Sequence, residues 1–179
     1  MSHIAPRSPQ RGVTLIESAI ALAVVAVAAT TAAPGLQDLV LRKRLEGVAA
    51  QLVTELQAVR SEAVARNEAL RVSFHADPGG SCVVVHTGAR SLCSCSAAAP
   101  ASCHGDARLL RATYLPAEQK VGVGASATSI LFDPLHGTST PAATVRVSAA
   151  PGAIHHVVNV MGRVRSCSPD GRIAGYRIC

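Results

Sequence analysis

Aromatic residues are almost missing from this chain, whose 179 residues include two Phe, two Tyr and no Trp. Base stacking therefore cannot be the main term in any contact with nucleic acid, and Tyr176 is the one aromatic near the basic C-terminal segment. Charge is absent between Glu17 and Asp38. That gap leaves about 20 residues free to cross a hydrocarbon core of about 30 Å as a helix. None of the six cysteines precedes this stretch. Catalytic constellations are lacking too. Ser and Asp are scattered without a nucleophile elbow or paired acids, and His75, His86, His104, His136 and the pair His155 and His156 have no spacing that suggests a metal or a base. The histidines are expected on strand faces or in loops, no cofactor is implied, and the chain is not expected to be an enzyme.

What is present begins with a misplaced acid. Glu17 sits at the start of the apolar run, where a carboxylate costs up to about 3 kcal/mol at the centre of a span and less near its end. Such an acid usually marks a site with a partner, although one near the interface can also snorkel out as part of a plain signal anchor. Residues 1–12 are short, polar and basic (Arg7, Arg11), broken by Pro6 and Pro9, and end in Gly12. An ordinary secretory signal would place its cleavage site after the apolar run, not before it. Lys and Arg number 17 against 11 Asp and Glu, a net charge of +6, and a basic balance suits acidic partners such as nucleic acid or anionic lipid.

Gly12 followed by Val13, Thr14, Leu15, Ile16 and Glu17 resembles the class III leader of type IV pilins and pseudopilins. The resemblance implies cleavage after Gly12 by a prepilin peptidase and methylation of the new N-terminus at Val13, where family members usually carry Phe. It also implies that Glu17 pairs with the N-terminal amine of a neighbouring subunit during assembly.

The six cysteines, Cys82, Cys93, Cys95, Cys103, Cys167 and Cys179, are even in number and follow the apolar run, as expected of up to three disulfides in an oxidising compartment. Cys167 and Cys179 are the first candidates to pair, and Cys82 is placed to reach the insert from Cys93 to Cys103. Six cysteines allow 15 pairings, so the connectivity stays open. The alternative is a metal site built from Cys93, Cys95, Cys103 and His104, but its C-x-C spacing departs from the C-x₂-C of zinc sites, and no metal is expected.

Beyond the apolar run, Leu45, Val48, Leu52, Leu56, Val59 and Ala63 recur at steps of three and four, which predicts an amphipathic helix continuing to about Asn67. Pro34 should kink it. From Leu70 the period changes to two. Leu70, Val72 and Phe74 alternate with polar residues, Cys82 to Val85 and Ser129 to Phe132 are short apolar runs, Val145 and Val147 alternate again, and His156 to Val160 follows. The clusters Asp77-Pro78-Gly79-Gly80, Asp133-Pro134 and Ala150-Pro151-Gly152 read as turns, and residues 94–105 as a stapled loop. The expected fold class is α+β, type IV pilin-like, with a long N-terminal helix packed on an antiparallel β-sheet. Its expected parts are a leader (1–12), a transmembrane or filament-core helix (13–36), the amphipathic second half of that helix (37–69) and a β-rich periplasmic region (70–179).

Residues 56–68 resemble the helix-end signature of GspH/FimT proteins, and Ile130 to Pro134 with Gly137 to Ser139 resembles their mid-domain turn. That family includes pseudopilins of type II secretion and minor pilins of type IV pili, some of which bind DNA during natural transformation. Gly162-Arg163-Val164-Arg165 resembles the GRxR motif of the DNA-binding members, which points to Arg163 and Arg165. On a strand, residues i and i+2 face the same way about 6.6 Å apart, so two guanidinium groups can grip neighbouring phosphates. Arg172 and Arg177 lie in the segment that a Cys167–Cys179 bridge would fold back beside them, and from Arg146 onward five Arg face one acid, Asp170. Contact of this kind is electrostatic and blind to sequence; neutralising two to four phosphates implies a log–log salt slope of about −2 to −4. The resemblance thus implies a single-pass inner-membrane subunit with a periplasmic domain, assembled with other pilins and binding double-stranded DNA. The alternative is a structural pseudopilin of type II secretion, with its face against other tip subunits.

Overall fold

The computed structural model describes residues 14–97 and 99–179, without the side chains of residues 31–34. The expected cleavage site at Gly12 and Val13 lies outside the described residues, and so does the side chain of Pro34, on which the expected kink rests. The described residues fall into two compact units, divided after Asp38. Helix α1 spans Leu15–Arg66. Thr14 caps it: its Oγ1 accepts the Glu17 N–H at 3.4 Å, so Glu17 stands three residues past the cap, where a carboxylate suits the positive end of the helix dipole. Taken singly, no described helix is long and apolar enough to cross a membrane; Leu15–Thr30 joined with the stretch from Gly35 is.

Helix α1 ends where the chemistry predicts. Asn67 takes a positive φ of 50°, its N–H bonds the Val64 carbonyl, and the Glu68 N–H reaches back to the Ala63 carbonyl. This six-to-one and five-to-two pair is the Schellman arrangement, in which Asn tolerates the left-handed conformation.

Eleven described strands follow. They are β1 (Leu70–Asp77), β2 (Gly80–His86), β3 (Cys93–Ser94), β4 (Ser102–Cys103), β5 (Leu109–Pro116), β6 (Val121–Ala125), β7 (Ser129–Phe132), β8 (Ser139–Thr140), β9 (Ala143–Ala149), β10 (Gly152–Val158) and β11 (Val164–Cys167). The fold class is the expected one, but the sheet is divided. One sheet runs β5-β2-β1-β7-β8 and a second runs β11-β10-β9-β6, with neighbouring strands antiparallel throughout. The two are stitched where the Val123 N–H on β6 donates to the Ser81 hydroxyl on β2.

The apolar stripe of the helix is buried as its spacing predicts. Leu45, Ala49, Leu52, Leu56, Val59 and Ala63 pack in one core with Val72, Ile130 and Phe132 of the first sheet and Val145, Val147, Ile154 and Val158 of the second. Val48 lies at its margin.

Three disulfides form, Cys82–Cys95, Cys93–Cys103 and Cys167–Cys179. They take up the sulfurs that a metal at Cys93, Cys95 and Cys103 would need. Residues 94–105 depart from the loop reading: Cys93 sits directly opposite Cys103 in a short β3–β4 ladder, and the cross-strand bridge holds that register.

Candidate functional site

Three separate stretches of sequence converge on one groove of about 980 Å³. Its walls are the last turns of α1 (Arg60 and Val64), the turn between β7 and β8 (Leu135, His136, Gly137) and the β10–β11 hairpin (Asn159, Gly162, Arg163, Arg165). These coincide with the helix-end signature, the mid-domain turn and the Gly-Arg-x-Arg motif. Three Arg and one His line the groove, and no Asp or Glu among the described residues does.

Each wall is fixed locally. Asp133 Oδ1 accepts the backbone N–H groups of Leu135 and His136 at 3.0 and 2.9 Å, and the Gly137 N–H closes the turn on the Asp133 carbonyl. These backbone donors, His136 first, hold the Asp133 carboxyl below the usual carboxylate range, and His136 Nδ1 lies 3.4 Å from it. In the hairpin, Asn159 Oδ1 accepts the Arg163 N–H at 2.9 Å and the Gly162 N–H bonds the Asn159 carbonyl. The two turns are tied together, because Ser139 donates its hydroxyl to the Asn159 carbonyl at 2.6 Å and its N–H to Val160. Arg60 ties them to the helix, Nε donating to the Gly137 carbonyl at 2.8 Å.

Gly162 is required twice over. Its φ is +70°, and a Cβ there would lie 2.3 Å from the Gly137 oxygen and 2.7 Å from Arg60 Nε. The first letter of the motif therefore belongs to packing, and the second and fourth belong to the surface. Arg163 and Arg165 are exposed at the base of the hairpin and the start of β11.

Their side chains are free, whereas most other arginines of the domain are committed: Arg111 bridges Glu62 and Glu55 at 2.8 and 3.2 Å, Arg108 meets Glu68, Arg66 meets Glu62, Arg42 meets Glu46, and Arg44, Arg71 and Arg90 donate to hydroxyl or carbonyl oxygens. Among the described residues, the side chains of Arg146, Arg163, Arg165 and Arg177 carry no hydrogen bond or ion pair. Arg172 and Arg177 lie in the terminal segment folded back by the Cys167–Cys179 bridge, where the Arg177 carbonyl accepts the Ser168 N–H just beyond β11. Neither lines the groove, and Arg172 is turned toward Asp170, Nε to Oδ2 3.5 Å, in the segment closed by Cys167–Cys179.

The histidines are structural where they are buried. His86 Nδ1 donates to the Thr87 carbonyl and Nε2 accepts from the Ser73 hydroxyl, both at 2.8 Å, and burial lowers its pKa. His156, on the inner face of β10, has Nδ1 2.8 Å from the Ser166 hydroxyl, and burial pushes its pKa down to about 4.

A family model described as type II transport protein GspH matches residues 48–162, which contain the helix-end signature and the mid-domain turn and stop at Gly162, before Arg163 and Arg165. The chain belongs to the GspH family. The prokaryotic N-terminal methylation motif matches residues 7–33. Together the two matches make this GspH protein a minor pilin or pseudopilin of the type IV pilus or type II secretion class, a subunit that assembles with other pilins. No curated protein matches the chain. Among solved structures, the type IV minor pilin FimU of Pseudomonas aeruginosa PAO1 is similar at 22% identity and TM-score 0.50, over 69% of this chain and 88% of that one. The minor pseudopilin EpsH from the type 2 secretion system of Vibrio cholerae is similar at 13% identity and TM-score 0.48, over 69% and 96%. The likeness to FimU is one of fold.

Proposed function

We propose that this GspH protein is a minor pilin of a type IV pilus that binds double-stranded DNA, without regard to sequence, for uptake in natural transformation. The observation that carries the reading is the pair Arg163 and Arg165, unpaired at a groove that no carboxylate among the described residues lines. Guanidinium groups left free on a domain where most others are bonded remain available to phosphates. With no aromatic among the described residues lining the groove, contact is with the DNA backbone and is weak at physiological salt, which suits a filament that must capture DNA and release it.

In this reading a prepilin peptidase cuts after Gly12, Val13 is methylated, and Glu17 pairs with the N-terminal amine of a neighbouring subunit. The apolar run crosses the inner membrane once and the domain from Leu39 faces the periplasm. The protein is non-catalytic and carries no cofactor.

A second reading has an observation of its own. Leu135, Val160 and Met161 are 72%, 60% and 56% exposed beside the groove. Exposed apolar side chains of that size suit contact with another protein, as in a structural pseudopilin of type II secretion. The full chain in detergent, assayed for retention of duplex DNA beside Arg163→Gln/Arg165→Gln and Leu135→Ser/Met161→Ser, separates the two. The DNA reading expects loss in the arginine variant alone. Equal inertness of the parent and both variants at low salt supports the structural reading.

A further inference from the structure

The outer face of the second sheet continues the charge of the groove. On β10, Ile154, His156 and Val158 point into the core, so His155 and Val157 point away from it. Residues directly opposite share that face: Arg146 of β9 stands opposite His155, and Arg165 of β11 stands opposite Val157. Arg165 thus belongs both to the groove and to the sheet face. With strands about 4.8 Å apart and a rise of about 3.4 Å per residue, the Arg146 and Arg165 backbones are about 12 Å apart, too far to share one phosphate.

Two acids border this face, and both are engaged: the Asp170 carboxylate by the Ser168 hydroxyl, the Arg172 N–H and the Arg172 guanidinium, and Asp77, which shares a surface hollow with Lys120, Gly122 and Gly124, by the Gly79 and Ala97 N–H groups. Arg146 has no such partner. Beside it on the edge strand, Gly124 is opposite Arg146 and Gly122 opposite Ser148. A Cβ at either glycine would meet nothing within 4 Å, and neither takes a positive φ, so neither packing nor backbone conformation calls for glycine there. Glycine in a strand weakens it and often marks close approach of something from outside.

We infer that the DNA backbone does not stop at the groove but runs on across the outer face of the second sheet, contacting Arg146 over the low surface left by Gly122 and Gly124. This extension rests on the DNA reading above. Its grounds are the complementary charge of that face and its continuity with the groove through Arg165.

The test is fluorescence anisotropy of a labelled 30-base-pair duplex with the full chain in detergent, at several salt concentrations, using the parent, Arg146→Gln and Gly124→Val. Arg146→Gln is expected to weaken binding about three- to tenfold and to reduce the salt slope by about 0.9, the value of one phosphate. Gly124→Val keeps every charge and favours the strand, so its melting temperature should hold or rise while binding falls at least about tenfold. If either variant binds like the parent, the sheet-face contact is wrong and the groove alone binds. If the parent itself does not bind, the DNA reading and this extension fall together.

Discussion

Arg60 Nε donates to the Gly137 carbonyl at 2.8 Å, which locks the end of the helix to the mid-domain turn. Gly162 lies against that same bond, where a Cβ would be 2.3 Å from the carbonyl oxygen. Gly162→Ala must therefore displace the bond and also hold an alanine at φ +70°. The expected loss of stability is about 1–3 kcal/mol, read from urea unfolding. DNA binding should fall as well although both arginines remain, because the hairpin that aims them has moved. An alanine variant with the parent's stability and affinity would show that the groove does not depend on this junction.

Stability should fall with acid. His156 is neutral in the fold, its pKa pushed by burial from 6.5 to about 4, and burial lowers the His86 pKa in the same direction. Above pH 6.5 neither the folded nor the unfolded chain protonates His156, and stability is full. Between pH 6.5 and 4 only the unfolded chain takes up that proton, so stability drops by on the order of 1 kcal/mol per pH unit from this group. Urea midpoints measured from pH 7.5 to 4 should show the decline, and His156→Gln should flatten it partly, since His86 stays. A parent midpoint that does not change over this range would contradict the burial argument.

The Cys167–Cys179 bridge closes the segment that carries Arg172 and Arg177. Cys167→Ser/Cys179→Ser is expected to lower stability by about 3 kcal/mol in the chain-entropy model for a loop of this length. Because neither of those arginines lines the groove, duplex affinity below the melting transition should stay within about threefold of the parent's. A collapse of affinity would return Arg172 and Arg177 to the site.

Much of this was legible in the residues, for physical reasons. The stripe from Leu45 to Ala63 marks the buried helix face because helical periodicity is set by burial. The helix end at Asn67 and the turns at Asp77 to Gly80 and Asp133 follow from side chains that favour those conformations. Strands β5 and β6 were missed because both are sheet edges: β5 exposes residues on both faces, so its alternation is faint, and Gly122 and Gly124 mask the period in β6. The motif pointed to Arg163 and Arg165, but nothing local could show that they lack partners. That depends on where Glu55, Glu62, Glu68 and Asp170 are directed, which only tertiary packing decides. The packing role of Gly162 was hidden likewise, since Gly137 and Arg60 lie far from it in sequence.

The most direct test of the central claim is the salt dependence of duplex binding by the full chain in detergent, compared with Arg163→Gln/Arg165→Gln. The account predicts a parent log–log slope of about −2 to −4 and a slope shallower by about 2 in the variant, with most affinity lost, since each phosphate contributes about 0.9. Equal slopes and affinities in parent and variant would contradict it.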